Sequence, residues 1–521
     1  MMRNLTRGRC SSLFARPLPR WLCGVSACLV MAAPLKADEP AATIAQHQRW
    51  VTGVGFTSDS KRLVTVGGGS LRYRPGDVLV WDVAGGKRLA SLSGHDSHVW
   101  AVAMSPDRAI GATSDYTGRI VVWDFAAGKP IHQLDPFQAW VPSLAWSADG
   151  KWMAAGGQDA NVAVWNTAKF EKPVTVKVHD APVAALAFLP GTTRLVVAGV
   201  DKKLSLVDWK AGKVVAEWQG SDDVVWSIGV DPSGKVVATG GADRTVRLWK
   251  PDGTRLVSLP AHRDWIRCVR FSPDGKELAT AGHDRRVRLW NVERLLEQSG
   301  PLTAKRQQVA SAQAAWTKLL EASDDAEKAA NLAEDKQKAA AAIVAWKQAV
   351  ARQQEAIKAL EQDKENKDLK KAVDEAKAAV GKLAKEVDAK IKSLGSDKKL
   401  AQSLAELKKA DIDAVKKQQE AWAKEAADAT GKHEELGRQS QAAEKALDQA
   451  RRLLREFVDS LATDIGPLES SVWAVAYSPD GKWLATGCHR IGRETNTDTV
   501  RIWRRSDRQS VFSQKSEANS P

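Results

Sequence analysis

"SVWAVAYSPDGKWLATG" occupies Ser471–Gly487, and its reading decides the fold. It echoes "HVWAVAMSPDRAIGATS" at His98–Ser114. Each phrase holds an apolar run, a Ser-Pro-Asp turn and a second apolar run. Alternating apolar residues flanking such a turn predict two antiparallel strands. A third alternating stretch then closes the unit. Six units run in series from about Gln46 to Asn291, closing at Trp81, Trp123, Trp165, Val207, Trp249 and Trp290, with a period of about 42 residues. The seventh, which contains Ser471–Gly487, closes at Trp503 after a long interruption. A fixed period of this size is the signature of a repeat architecture, in which one unit cannot bury its own faces.

The seven phrases resemble the WD-repeat (WD40) β-propeller family, here in a form with an export leader and a helical insertion, as in secreted bacterial members. The resemblance covers about 290 residues in two pieces. It implies an all-β seven-bladed propeller with an inserted long α-helical antiparallel coiled-coil arm. It also implies a polar network within each blade, which the sixth unit matches in full at His262, Thr280, Asp284 and Trp290. The other units match in part. The fifth has Ser221 in place of His, the fourth has Val207 in place of Trp, and the second has Thr117 at the Asp position. The expected role of the network is structural, because a buried indole N–H and imidazole need partners.

The late return of the repeat then has a reason. Six units alone leave two raw faces and exposed strand edges, and the seventh closes the ring. The expected division is blades one to six at 41–292, a helical insertion at 293–461, closure at 462–505 and a tail at 506–521. "ATDI", Ala462–Ile465, aligns with the outer strand of the fifth unit, so the insertion is expected between the third and fourth strands of blade six. Either "ATIAQH" (Ala42–His47) or "SVFSQ" (Ser510–Gln514) supplies the outer strand of blade seven.

From about Thr303 to Leu461 the chain turns to Ala, Lys, Glu, Asp and Gln, without proline, and these residues favour helix. Apolar positions step by three and four, as at Val373, Val380, Leu383 and Val387, which reads as a coiled-coil seam. Both ends return to one blade, so the arm runs out and back. A helix of roughly 60 residues spans about 90 Å. Breaks are expected near Ser323–Asp325, Asp363–Asp368 and Leu394–Asp397, with a two-helix hairpin and a three-helix form both open. Family topology places the arm on the face opposite the usual binding mouth.

The chain has 521 residues and a formal net charge of +14. Residues 1–37 hold six of the 77 basic residues and none of the 63 acidic ones, so the excess beyond them is +8. That excess is diffuse and points to no nucleic-acid partner. Residues 1–37 read as a signal peptide, with an Arg-rich start, the apolar run Trp21–Leu35 and a cleavage site before Asp38. The protein is therefore expected to be exported to the periplasm or cell envelope, with no transmembrane helix once the leader is removed. Lipid anchoring at Cys28 is the less favoured alternative. Beyond the leader only Cys268 and Cys488 remain, which excludes a disulfide scaffold.

Trp50, Trp140 and Trp265 come just before the first apolar residue of their units, and Trp100, Trp226 and Trp473 just after it. Residues two apart on a strand face the same way, so all six indoles are expected at the mouth of the central channel. They would serve a docked partner there, or else only pack one sheet on another. The turns Gly67–Asp77 and Cys488–Asp498 are enlarged and carry Arg72, Arg74, Arg490 and Arg493. A basic lip beside an aromatic mouth suits an acidic peptide or an anionic glycan. His283 and His489, with Cys488 nearby, are a weaker candidate for a metal. No nucleophile elbow, P-loop or zinc-protease motif is present, and neither catalytic residues nor a cofactor are assigned. The expected function is a non-enzymatic, exported scaffold for protein partners, with the arm as spacer or second interface. The alternative is a glycan- or small-ligand-binding propeller, even a hydrolase.

Overall fold

The computed structural model describes residues 47, 50–69, 74–394, 398–466, 468, 470–489 and 500–506. The leader, both candidate outer strands (His47 apart), Arg72, Arg490 and Arg493 lie outside these residues.

The repeats fold into antiparallel sheets whose strands follow chain order. Five sheets are separate and four-stranded. The strands of the first and seventh repeats form one seven-stranded sheet, joined among the described residues through the pair Trp50 and His489. Separate sheets were expected here; the extra pairing arises where the start of the first repeat's first strand meets the end of the seventh repeat's second strand, Trp483–His489. The first strands pack side by side in chain order: Trp50–Phe56, Val99–Met104, Ser143–Trp146, Val183–Phe188, Val225–Val230, Ile266–Phe271 and Ser471–Tyr477. The last of these packs in turn against Trp50–Phe56.

Local chemistry sets the strand lengths. In the turn after Ile266–Phe271, the Ser272 hydroxyl donates to Asp274, the Gly275 amide donates to the Ser272 carbonyl at 2.8 Å, and Gly275 sits at φ +71°. That backbone region is cheap only for glycine. The Ser-x-Asp-Gly turns at Ser147–Gly150 and Ser478–Gly481 repeat this arrangement. Middle strands such as Val287–Asn291 are buried on both faces, because each sheet is covered by its neighbours. Their alternating large residues fill the space between sheets, as Leu278 and Trp290 do between the fifth and sixth.

The insertion forms five helices: α1 (Val292–Glu297), α2 (Ser299–Gln362), α3 (Lys367–Ser393), α4 (Lys398–Lys409) and α5 (Ile412–Leu461). Strand Ala462–Ile465 then pairs antiparallel with Val287–Asn291 as the fourth strand of the sixth sheet. Helices α2 and α5 run antiparallel, bridged by Arg451 to Gln313, His433 to Ser323 and Lys336 to Glu425. Farther out, Ile343, Val387, Leu404 and Trp422 bring α2, α3, α4 and α5 into one apolar cluster. The arm is thus a helix pair near its root and a four-helix head beyond it, neither of the two forms expected.

Two break points differ from expectation. Ser323–Asp325 lies inside α2, where Ser323 is buried against α5 and meets His433. Tertiary packing there outweighs the preference of Ser and Asp for helix ends. A break that was not foreseen occurs between α4 and α5, where Asp411 caps α5 by accepting from the Ala414 amide at 2.7 Å.

The arm's direction also differs. Strand register puts its exit at Asn291 and its return at Ala462 at the end of the sixth sheet away from Trp265. Asn291 caps α1, and the chain then doubles back along the outer edge of the fifth and sixth sheets. Leu295 and Leu302 bury there with Leu454, Val458 and Leu461 of the returning helix. Arg306 donates to the Ser258 carbonyl, and Arg451 and Arg455 flank Arg244 and Arg263 in the turns beside the Trp-bearing strand ends. The hairpin therefore climbs toward the Trp-rich end rather than away from it.

Candidate functional site

The polar network of the sixth sheet is complete. Asp284 accepts from His262 Nδ1 at 2.9 Å, which leaves Nε2 to face the Thr280 hydroxyl at 2.8 Å. Trp290 Nε1 donates to the same hydroxyl at 2.9 Å. Burial opposes ionisation of Asp284, but His262 and the amides of Arg263 and Arg286 outweigh it and hold the carboxyl below its ordinary range. The second sheet has the same chain through Trp123, Thr113, His95 and Asp115. Asp115, rather than Thr117, is the acid there; Thr117 donates to it at 2.7 Å. In the fifth sheet Trp249 still donates to Thr239, while Ser221 and Arg247 hold Asp243. These groups are inward and mutually satisfied, so they fix the sheets rather than meet a ligand.

The six candidate tryptophans gather at one end of the first strands. Ring centroids of Trp100 and Trp140 are 5.0 Å apart, Trp100 and Trp473 6.2 Å, Trp50 and Trp473 6.5 Å, and Trp226 and Trp265 6.5 Å. Three imidazoles join the cluster. His98 stands edge-on between Trp50 and Trp100, while His283 and His489 stack on Trp473. None of the six is fully buried, and Trp265 at the rim is 45% exposed. Arg74 is exposed. His283 and His489 meet the ring by their faces, and among the described residues no group of three His, Cys, Asp or Glu side chains is arranged to hold a metal. Cys268 and Cys488 form no disulfide and are buried in one apolar cluster.

A register slip directs the inner part of this ring. In six first strands one residue is left out of the ladder: Thr52, Trp100, Ala184, Trp226, Arg267 and Trp473. Such a bulge re-aims the side chain that it carries. All six bulge residues, with Trp140, line a chamber of about 110 Å³. Arg267 was not singled out in the sequence, although it stands at the position that holds Trp in three other units. Its guanidinium lies 4.6 Å from the centroid of Trp226 and 4.3 Å from that of Trp473. Burial pulls it down to about 10, still a cation at neutral pH. His98 is pushed down to about 4 by burial, against the pull of Asp77. His283 is lowered by burial and by the Arg267 charge. Arg270 also lines the chamber, with its Nη1 spent on the Ser227 hydroxyl and the Ile228 and Val269 carbonyls. Among the described residues no carboxylate lines it.

Segments 86–124, 128–166, 212–250, 253–291 and 459–504 match the sequence profile of the WD domain, G-beta repeat. These five segments are WD40 repeats. The chain's repeats are similar to those of eukaryotic translation initiation factor 3 subunit I of Pyricularia oryzae, at 24% identity over 114 residues, 18% of this chain and 33% of that one. They also resemble human WD repeat-containing protein 3, at 32% over 62 residues, 12% of this chain and 7% of the relative. Cilia- and flagella-associated protein 52 of Chlamydomonas reinhardtii matches at 35% over 69 residues, 13% of this chain and 11% of that protein. The chain spans a third or less of the length of these curated relatives. WD40 proteins bind protein partners, and among the described residues no helix is long and apolar enough to cross a membrane.

Proposed function

We propose that this WD40 protein is a non-enzymatic, exported scaffold that docks a protein partner on the Trp-rich mouth of a closed seven-bladed propeller. The observation that carries the reading is the six-indole ring, partly exposed at one end of the first strands. Rigid aromatic side chains concentrate binding energy at protein interfaces because few rotatable bonds are frozen on contact. Packing of the last first strand on Trp50–Phe56 supports closure of the ring. The Arg-rich leader with its apolar run supports export. The long antiparallel helix pair supports a coiled-coil arm serving as spacer or second interface, and its route supports a partner held between mouth and arm.

The test is site-specific photo-crosslinking in native cells. A benzoylphenylalanine at Trp265 is expected to capture a discrete partner. The same probe at Lys276, in the turn at the other end of the sixth sheet, is expected to capture none. Capture from Lys276 alone places docking on the wrong end and ends the proposal. A glycan is the second reading, favoured by the open face of Trp265, and quenching of tryptophan fluorescence by envelope polysaccharides would select it.

A further inference from the structure

We propose that the chamber at the channel mouth is a carboxylate receptor, built to take one Asp or Glu side chain from the docked protein segment, with Arg267 as its paired cation. The inference rests on the docking reading above and names what the mouth recognises.

The donor set is one-sided. Trp100, Trp140, Trp226 and Trp473 line the chamber, and the Nε1 atom of each is buried with no acceptor among the described residues. An indole nitrogen can only donate, and burying a donor unpaired costs free energy. Arg267 lies among them between two indole faces, paired with no carboxylate of the described residues. Each cation–π contact is worth about 2 kcal/mol or more when desolvated, set against the several kcal/mol it costs to bury an ion. Arg270 adds a second positive charge along the same wall, and no lining residue among those described supplies a negative one. A chamber with donors, cations and no anion is complementary to an acceptor-only anion. A carboxylate fits that description: two oxygens accept about four hydrogen bonds and pair with a guanidinium through two parallel ones. About 110 Å³ accommodates a carboxyl group on a short stem.

The bulge explains why an arginine is tolerated here. The same slot carries Trp in three other sheets, so the fold accepts a large flat side chain at this position. Two variants therefore test the assignment without threatening the fold. Arg267→Met removes the charge and keeps the stem; Arg267→Trp installs the residue used by the neighbouring sheets.

The experiment titrates the full chain with the capped peptide Ac-Gly-Gly-Glu-Gly-Gly-amide and its Gln and phosphoserine counterparts. Calorimetry is read alongside the indole N–H resonances of Trp100, Trp140, Trp226 and Trp473, assigned by Trp→Phe replacement. The Glu peptide is expected to move those four resonances, and to bind at least tenfold more tightly than the Gln peptide. Both variants are expected to lose at least tenfold in affinity for the Glu peptide. Equal binding of Glu and Gln peptides overturns the carboxylate assignment and leaves the docking face standing. So does Glu binding unchanged in both Arg267 variants. Tighter binding of the phosphoserine peptide overturns it in favour of a phosphate. Resonances that no peptide moves sink this inference and count against the docking face too.

Discussion

Replacing Thr280 by Val tests whether the network of the sixth sheet acts as a relay of hydrogen bonds. The side chains have nearly the same shape, and Thr280 is fully buried, so packing changes little. What disappears is one hydroxyl with two clients. Trp290 Nε1, also fully buried, loses its acceptor at 2.9 Å. His262 Nε2 loses its donor at 2.8 Å. Leaving a buried polar group unpaired costs roughly 1–3 kcal/mol, so two such groups predict a loss of about 3 kcal/mol. The fifth sheet supplies the control. Thr239 has one client, Trp249 Nε1 at 3.0 Å, because Ser221 stands where the imidazole would be and turns to Asp243. Thr239→Val should therefore cost about half as much, roughly 1.5 kcal/mol. Thr113→Val in the second sheet, with both clients present, should match Thr280→Val. Urea unfolding followed by tryptophan fluorescence measures all three. Equal losses at Thr239 and Thr280 would refute the two-client reasoning, because the cost would then follow burial of the threonine rather than what it holds.

Stability should fall between pH 6.5 and about 4 through His98, which binds its proton more readily unfolded than folded. Protonation of the unfolded chain begins to drain stability below 6.5, and the loss is complete below about 4. At about 1.4 kcal/mol per pH unit the whole is worth roughly 3 kcal/mol. His98→Phe should flatten that part of the thermal-stability profile, and an unchanged slope would assign it to other groups. Arg288 is nearly buried, donates to the Ala261 carbonyl at 2.8 Å and pairs with Asp459 of α5 and Asp464. Arg288→Met should cost about 2 kcal/mol and speed proteolysis at the root of the arm, chiefly by unpairing the buried Ala261 carbonyl, since Asp464 keeps Arg286 and Asp459 is open to solvent. Trp265→Ala should cost about 1 kcal/mol of stability, the worth of its contacts with Trp226 and His283, while weakening partner capture. Replacing 292–461 by a four-residue turn should leave a folded repeat domain, because Trp290 and Ala462 already pair across that gap; loss of cooperative unfolding would show that the domain needs the helices.

The repeat phrase made the strands legible because its period and its turns point to the same answer. The position of Ala462–Ile465 beside Val287–Asn291 was legible for the same reason: its alignment with the fifth unit's outer strand is a statement about the period. The mouth was only half legible. Spacing placed six indoles at one end of the first strands, but it could not show which of them turn inward. That depends on a one-residue slip in pairing, and the slip sets Trp100, Trp226 and Trp473 apart from Trp50 and Trp265. Arg267 was hidden behind the same fact. Read as one cation in a chain with 77, it has no significance; read as the occupant of a slot that otherwise holds Trp, it is the exception that gives the chamber its charge. Asp115 was passed over because the acid was sought at a fixed offset in the turn, whereas the structure takes it from the strand end two residues earlier.

The route of the arm shows a different limit. Strand parity fixes where an insertion leaves a sheet, and here it gives the end away from the mouth. Parity is silent about the next turn of chain. Six residues of α1 reverse the direction, and they do so because Leu295 and Leu302 have an apolar edge to cover on the fifth and sixth sheets. That edge exists only after the sheets have formed, so no local pattern in the helices announces it. The consequence reaches the functional reading. Helices that left the far end and kept going would set two binding surfaces back to back, joined only by the thickness of the sheets. Helices that double back put Arg451 and Arg455 beside the turns at Arg244 and Arg263, next to the Trp-bearing strand ends. A segment seated in the mouth then lies on the same side as the arm, so one partner large enough to overhang the rim meets both.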